Sequence, residues 1–324
     1  MPTLADLCAR RLLVVLGKGG VGRTTVAATI AVLFARRGLR TLVFQPNAKD
    51  RLSTLFGVAP VGPEVVCVRD HLFAVNTNPQ AALHEYGVMV LRYEAIYRLV
   101  LENRIAKSLV RAIPGLDVYS MLGKAWWHTT EREGNRPRWD RIIIDAPATG
   151  HAVHMLQIPR AILAAVPEGP LTRDALQVAE LLEDPARTAA VLVTLAEEMP
   201  TAETVELAGR LGSELGMHLH CLVVNQLYPD LLGAGSPGAR VLDALDGAGE
   251  RVLGAVAARG HLVQTRRALN ERYLARLERE VPVPQVRLPM IFTPTLGPAE
   301  IDALADEFER QAEAHAEAEA EAEA

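Results

Sequence analysis

The sequence predicts an α/β fold: a doubly wound, mostly parallel sheet with an inserted helical subdomain. Three observations carry this. Short apolar runs recur along the chain without polar alternation, as strands buried on both faces do. Stretches with helical apolar spacing separate them. The first run passes through a glycine-rich turn into a helix and then a second run, which makes a βαβ unit with a right-handed crossover.

The elements follow in order. Leu12–Leu16 is a buried strand that stops at glycines. Thr25–Arg37 has helical spacing and ends at Gly38, which suits a helix C-terminus. Thr41–Phe44 and His71–Val75 are short strands, and Arg141–Ile144 is another, ending in Asp145. Ala190–Leu195, Leu219–Val224 and a short piece near Val286–Pro289 complete the sheet. Ligands of such sheets bind outside the carboxyl ends of the strands. Gly17, Gln45, Asp145, Thr194 and Asn225 fall at those ends.

Helical insertions are expected at about 81–127 and 159–185. The first carries an apolar stripe with Met89, Tyr93 and Tyr97, read either as core or as a client groove. Near its end Trp126 and Trp127 pack, and Lys124 beside them is a candidate for reaching phosphate. Leu232–Ala239 reads as a mobile loop, Val241–Leu277 as helical and Ile301–Glu313 as a last helix. Residues 1–310 form one domain in this reading, because no internal repeat divides them. Residues 311–324 are a Glu/Ala-rich tail that nothing apolar anchors, so disorder is expected there.

Composition narrows the function classes. Of 324 residues, 49% are hydrophobic and 23% charged, as in a globular protein with a real core. Net charge is −5, and five glutamates sit in the tail. Without them acidic and basic residues balance at 34 each, which disfavours bulk nucleic-acid binding. No apolar run reaches the roughly 20 residues that cross a bilayer. Met1–Arg11 does not read as a signal peptide, so the cytoplasm is the expected compartment. Cys8, Cys67 and Cys221 stand far apart and read as reduced thiols.

The glycine-rich turn is the most informative segment. Gly17-Lys18-Gly19-Gly20-Val21-Gly22-Arg23-Thr24 fits the phosphate loop of P-loop NTPases at all but one position. Its glycines let backbone N–H groups converge on phosphate oxygens, and the following helix adds its dipole. ATP or ADP is the expected ligand, held by Gly17 to Thr25. Thr24 is placed to offer its hydroxyl to Mg²⁺. The exception is Arg23, where lysine is usual. Arginine binds phosphate but is not an equivalent point charge, so hydrolysis is in doubt before binding is.

Gly-Lys-Gly-Gly-Val-Gly-x-Thr-Thr resembles the deviant phosphate loop of one branch of P-loop ATPases. Asp145-Ala146-Pro147-Ala148-Thr149-Gly150-His151 is similar to a switch motif within it, with the proline displaced by one position. Together they resemble the arsenical-pump and tail-anchored-protein targeting ATPases, of which this chain reads as a divergent bacterial-type member. The resemblance implies that Lys18 reaches across a dimer interface to a partner's nucleotide, unless it is a solvated loop lysine. It implies that Asp145 holds Mg²⁺ through water and that Thr149–His151 sense the γ-phosphate. Val223-Val224-Asn225-Gln226 and Leu288-Pro289 resemble the segments that hold adenine, which assigns Asn225 and Pro289 to the base. Val193–Pro200 with Glu203 resembles the strand and helix start after the switch.

Two departures qualify this. Where the partitioning-type pattern carries aspartates after the second strand, this chain has Gln45 and Asn47. An amide cannot accept a proton as a carboxylate does. Asn47 therefore holds the catalytic position without its chemistry. Asp50 lies close enough to substitute, or serves as a turn aspartate. The zinc-clamping C-x-x-C and grouped cysteines for arsenite are both absent, which disfavours a zinc-bridged dimer and arsenite transport. Three readings stay open. One is a dimeric ATPase that controls a client or partner, paired with its own copy or a related chain. The second is a poorly hydrolysing nucleotide-binding partner of an active paralogue. The third is a partitioning-type ATPase.

Overall fold

The computed structural model describes residues 4–91, 116–233, 235–247 and 251–323. Ten strands are found among them. β1 (Leu12–Gly17), β2 (Thr41–Pro46), β3 (Val66–Arg69), β4 (Leu72–Thr77), β7 (Arg141–Asp145), β8 (Thr188–Leu195), β9 (Leu219–Leu227) and β10 (Gln285–Pro289) form one sheet. Its order is β10-β9-β8-β1-β7-β2-β4-β3. Every pairing is parallel except β3 with β4. β5 (Arg132–Glu133) and β6 (Arg136–Pro137) make a separate small hairpin.

The sheet is doubly wound because its strands are apolar on both faces. Leu12, Val14 and Leu16 join one core with Leu42, Phe44, Ile142 and Ile144. Leu13 and Val15 point the other way, into a second core with Val43, Ile143, Val191 and Val193. Helix α2 (Arg23–Arg36) packs on the second side and supplies buried Val26, Ile30 and Leu33 to it. The opposite side is covered by α5 (Leu116–Thr130), α6 (Thr149–Ala165), α7 (Pro170–Glu183), α8 (Glu198–Ser213) and α10 (Arg251–Glu280). Four more helices are α1 (Leu4–Ala9), α3 (Leu52–Phe56), α4 (Pro79–Leu91) and α9 (Pro237–Gly247). The last helix, α11 (Pro298–Glu323), lies against α2 and β10.

Each expected strand is present, while several helical expectations need correcting. Of the first insertion, α4 and α5 are described; residues 92–115, with Tyr93 and Tyr97, and the side chain of Met89 lie outside the described residues. The second is two helices rather than one. α6 starts at Thr149 and carries Pro159 in its interior. A break at Val166–Gly169 follows, and α7 opens with Pro170 at its first position. Thr172 Oγ1 accepts the Gly169 N–H at 2.8 Å, which fixes that start. The expected loop 232–239 already enters α9 at Pro237, because Ser236 Oγ caps it by accepting the Ala239 N–H at 3.0 Å. Val241–Leu277 is helical as expected wherever it is described, in α9 and α10.

The Glu/Ala tail departs from the expectation of disorder, since α11 runs on to Glu323. Alanine and glutamate are strong helix formers, and extending an existing helix avoids the nucleation cost.

Candidate functional site

β1 is buried along its whole length and delivers Gly17 to the carboxyl edge of the sheet. Two loop glycines are dictated by their surroundings. Gly17 has φ 152°, and a Cβ there would stand 2.3 Å from the Val193 carbonyl oxygen. Gly22 has φ 91°, and a Cβ there would stand 2.2 Å from Asn225 Nδ2. Gly22 also opens α2, whose first helical bond runs from Val26 N–H to Gly22 O at 2.9 Å. Arg23, Thr24 and Thr25 therefore occupy the first turn, where N–H groups lack helical partners and attract anions.

A polar corner lies beside that turn. The register Val15↔Asp145 sets the end of β7 next to β1, and Phe44↔Ile144 sets Gln45 beside Asp145. Thr24 Oγ1 and Gln45 Nε2 each donate to Asp145 Oδ2 at 2.7 Å. Arg23 Nη1 donates to the Ala146 carbonyl at 2.7 Å. Burial pushes the Asp145 carboxyl above its ordinary range, against the pull of Gln45, Thr24 and the Arg23 charge. Burial likewise lowers the Arg23 guanidinium, and Asp145 opposes that. A hydroxyl and a carboxylate are hard oxygen donors, and a buried amide oxygen of Gln45 beside them has no hydrogen-bond partner. This donor set fits Mg²⁺, which takes one or two protein oxygens and keeps much of its water. Thr24 and Asp145 would hold it, and it would neutralise phosphate charge.

The loop opens on a cleft of about 690 Å³. Gly20, Gly22 and Thr25 form one wall, while Asn225, Gln226 and Pro289 form another. Such a volume lies within the range of small-molecule sites. Asn225 is buried and its Nδ2 donates to Val21 O at 2.9 Å, so it ties the end of β9 to the phosphate loop. Gln226 has φ 57°, an unusual conformation for a long side chain and one that collects at functional sites. The Met290 N–H to Leu227 O bond, 2.8 Å, holds the segment after β10 against β9. Asn225 and Pro289, far apart in sequence, thus face one space.

Other predicted residues sit around this core. Asn47 follows β2 with φ 53°, exposed, and its N–H donates to Thr77 O at 2.7 Å. Asp50 accepts the N–H groups of Ser53 at 3.1 Å and Val61 at 3.0 Å, one on each oxygen. Its partial burial pushes its pKa up, but bonds from Ser53, Val61 and Leu52 outweigh this and hold it low. Lys18 Nζ pairs with Glu203 Oε1 of α8 at 2.5 Å. Lys124, weighed as a phosphate contact, pairs instead with Glu85 at 2.8 Å and Pro63 O at 3.0 Å. Thr149 and His151 lie in the first turn of α6, a few residues after Asp145.

The sequence model of the anion-transporting ATPase family matches residues 10–168 and 171–234, more than half of the chain. The chain belongs to the anion-transporting ATPase family. Among relatives, ATPase BagA of Mycobacterium tuberculosis is 28% identical over 225 residues, covering 68% of this chain and 66% of that one. A putative arsenical pump-driving ATPase of Halobacterium salinarum is 29% identical over 240 residues, covering 69% and 36%. ATPase GET3B of Arabidopsis thaliana is 28% identical over 262 residues, covering 66% and 63%. The chain therefore spans between about a third and two thirds of the length of these relatives.

Against the family's general pattern, sequence reasoning missed two features here. Arg51 lines the cleft at the start of α3, outside any motif in the sequence. The Lys18–Glu203 pair joins residues 185 apart, and only the fold brings them together. The three cysteines are free, and Cys221 is buried, which raises its thiol pKa to about 12. No helix among the described residues is long and apolar enough to cross a membrane.

Proposed function

We propose that this protein binds ATP with Mg²⁺ in the cleft and works as a nucleotide-operated dimer that controls a protein client, with weak turnover of its own. One observation carries the reading: Gly20, Gly22, Thr24 and Thr25 of the loop share a single cleft of about 690 Å³ with Asn225 and Pro289, and Thr24 in that lining donates to Asp145 at 2.7 Å. Gly17 to Thr25 take the phosphates, Thr24 and Asp145 the metal, and Asn225 and Pro289 the base. Lys18 serves the nucleotide of the second chain, a like copy or a related ATPase. The switch from Asp145 into α6 passes the nucleotide state to the helical layer. Weak turnover follows from side-chain chemistry. Asn47 and Gln45 are amides, Asp50 spends both oxygens on backbone N–H groups, and Arg23 replaces a point charge.

Calorimetry with ATP and Mg²⁺, paired with a phosphate-release assay, tests this. Binding without appreciable release is the expected result. Restoring a carboxylate and a lysine together, by Asn47→Asp with Arg23→Lys, raises turnover about 100-fold or more. Robust turnover in the unaltered chain, lost on Asp50→Ala, would instead make it a working ATPase with Asp50 as its water-positioning group.

A further inference from the structure

Gln45, the penultimate residue of β2, is 0% exposed. Its Nε2 donates to Asp145 Oδ2, and Thr24 Oγ1 donates to that same oxygen, both at 2.7 Å. Its Oε1 is buried and without a hydrogen-bond partner. An unsatisfied buried acceptor costs about 1–3 kcal/mol, which a methionine or leucine in the same space would not incur. An amide kept here needs a use that offsets this cost.

The geometry indicates the use. Both donors load Oδ2, so the carboxylate is pinned in rotation and Oδ1 carries neither bond. The orphaned oxygen belongs to the same side chain that does the pinning. We propose that Gln45 is a positioning residue for the divalent cation at Thr24 and Asp145: Nε2 fixes the carboxylate, and Oε1 accepts a hydrogen bond from a water in the cation's shell. This rests on the reading of the cleft as a metal–nucleotide site. Mg²⁺ retains several waters when bound by one or two protein oxygens, so outer acceptors are needed. Outer partners of this kind orient the direct ligands and set affinity. Neutrality matters too. A carboxylate at position 45 would be a like charge beside Asp145 and would disfavour its ionised form.

The experiment is Mn²⁺ binding to the ADP complex of the full chain, followed by electron paramagnetic resonance, with ADP affinity measured separately in chelator. Gln45→Met removes both functions at similar volume, and Gln45→Leu is the second variant in case one misfolds. Mn²⁺ affinity is expected to fall about 10- to 100-fold in both, with metal-free ADP affinity within about twofold of the parent. A merely structural role would lower both affinities or neither. Variants that keep ADP binding and hold Mn²⁺ as tightly as the parent overturn the role of Gln45. Failure of the parent itself to bind ADP overturns the site reading instead.

Discussion

Gly22 and Asn225 meet at the closest approach in the site, and each limits what the other can be. A methyl at position 22 would lie 2.2 Å from Asn225 Nδ2, at a φ of 91° that side chains avoid. Gly22→Ala must displace Asn225 or the loop. Nucleotide affinity is expected to fall at least about tenfold and stability by roughly 1–3 kcal/mol, read by calorimetry and chemical unfolding. Asp145 makes the opposite trade. Its carboxyl pKa is raised by burial, so at neutral pH the ionised group costs folding energy in the metal-free chain. Stability linked to it is present below the unfolded value of about 3.9 and lost as pH rises through the raised folded value. Asp145→Asn should therefore stabilise the metal-free protein at pH 7 by roughly 0.5–2 kcal/mol while removing the metal response of nucleotide binding. The stability gap should narrow as pH falls towards 4, and melting curves across pH check the sign. The glycines and Asp145 were legible in the sequence because spacing alone marks a phosphate loop and a strand-end carboxylate. Gln45 was legible as a departure, but its orphaned oxygen was not, since partnership depends on neighbours from other strands.

Elements show the same division. Eight-residue β8 and nine-residue β9 read as strands because continuous apolar runs identify them. The two-residue strands β5 and β6 carry no such run, and β3 has only the short Val66-Cys67-Val68, so tertiary contacts define them. The segment from α5 to β7 shows what those contacts do. Glu131, just past α5, accepts from Trp139 Nε1 at 2.6 Å and lies 2.8 Å from His128 Nδ1. Arg138 reaches its other oxygen at 3.1 Å. Partial burial pushes the Glu131 pKa up, but the His128 and Trp139 bonds and the nearby charges bring it down to about 2. A depressed carboxylate stabilises above its unfolded pKa and loses that contribution as pH falls through the folded one. Glu131→Gln is thus expected to cost roughly 1–3 kcal/mol at pH 7, with the gap to the parent closing between about 4.5 and about 2. Unfolding midpoints measured across that window decide it. Nucleotide affinity should stay unchanged, because the cluster anchors α5 to the start of β7 and not to the cleft.

At the scale of the whole molecule, the decisive residue is Lys18. Its ammonium is paired within its own chain, 2.5 Å from Glu203, and both side chains are about one-third exposed. A half-buried pair at the protein surface is worth little and is partly screened by salt, so it can be exchanged for a phosphate. A phosphate chain carries more charge than one carboxylate, and a second chain brings that charge to Lys18 only if the two clefts face each other. ATP is therefore expected to drive association, giving a species of twice the 35.2 kDa chain mass by light scattering. If the natural partner is a related ATPase, the chain alone stays a monomer and the doubled mass appears only on mixing. Lys18→Ala should abolish the association while sparing ATP binding, because Gly17 to Thr25 hold the phosphates through backbone N–H groups. Glu203→Gln should do the reverse, releasing the lysine and lowering the ATP concentration needed for association. Association that survives Lys18→Ala undiminished would remove Lys18 from the interface and leave the cleft as a single-chain nucleotide site.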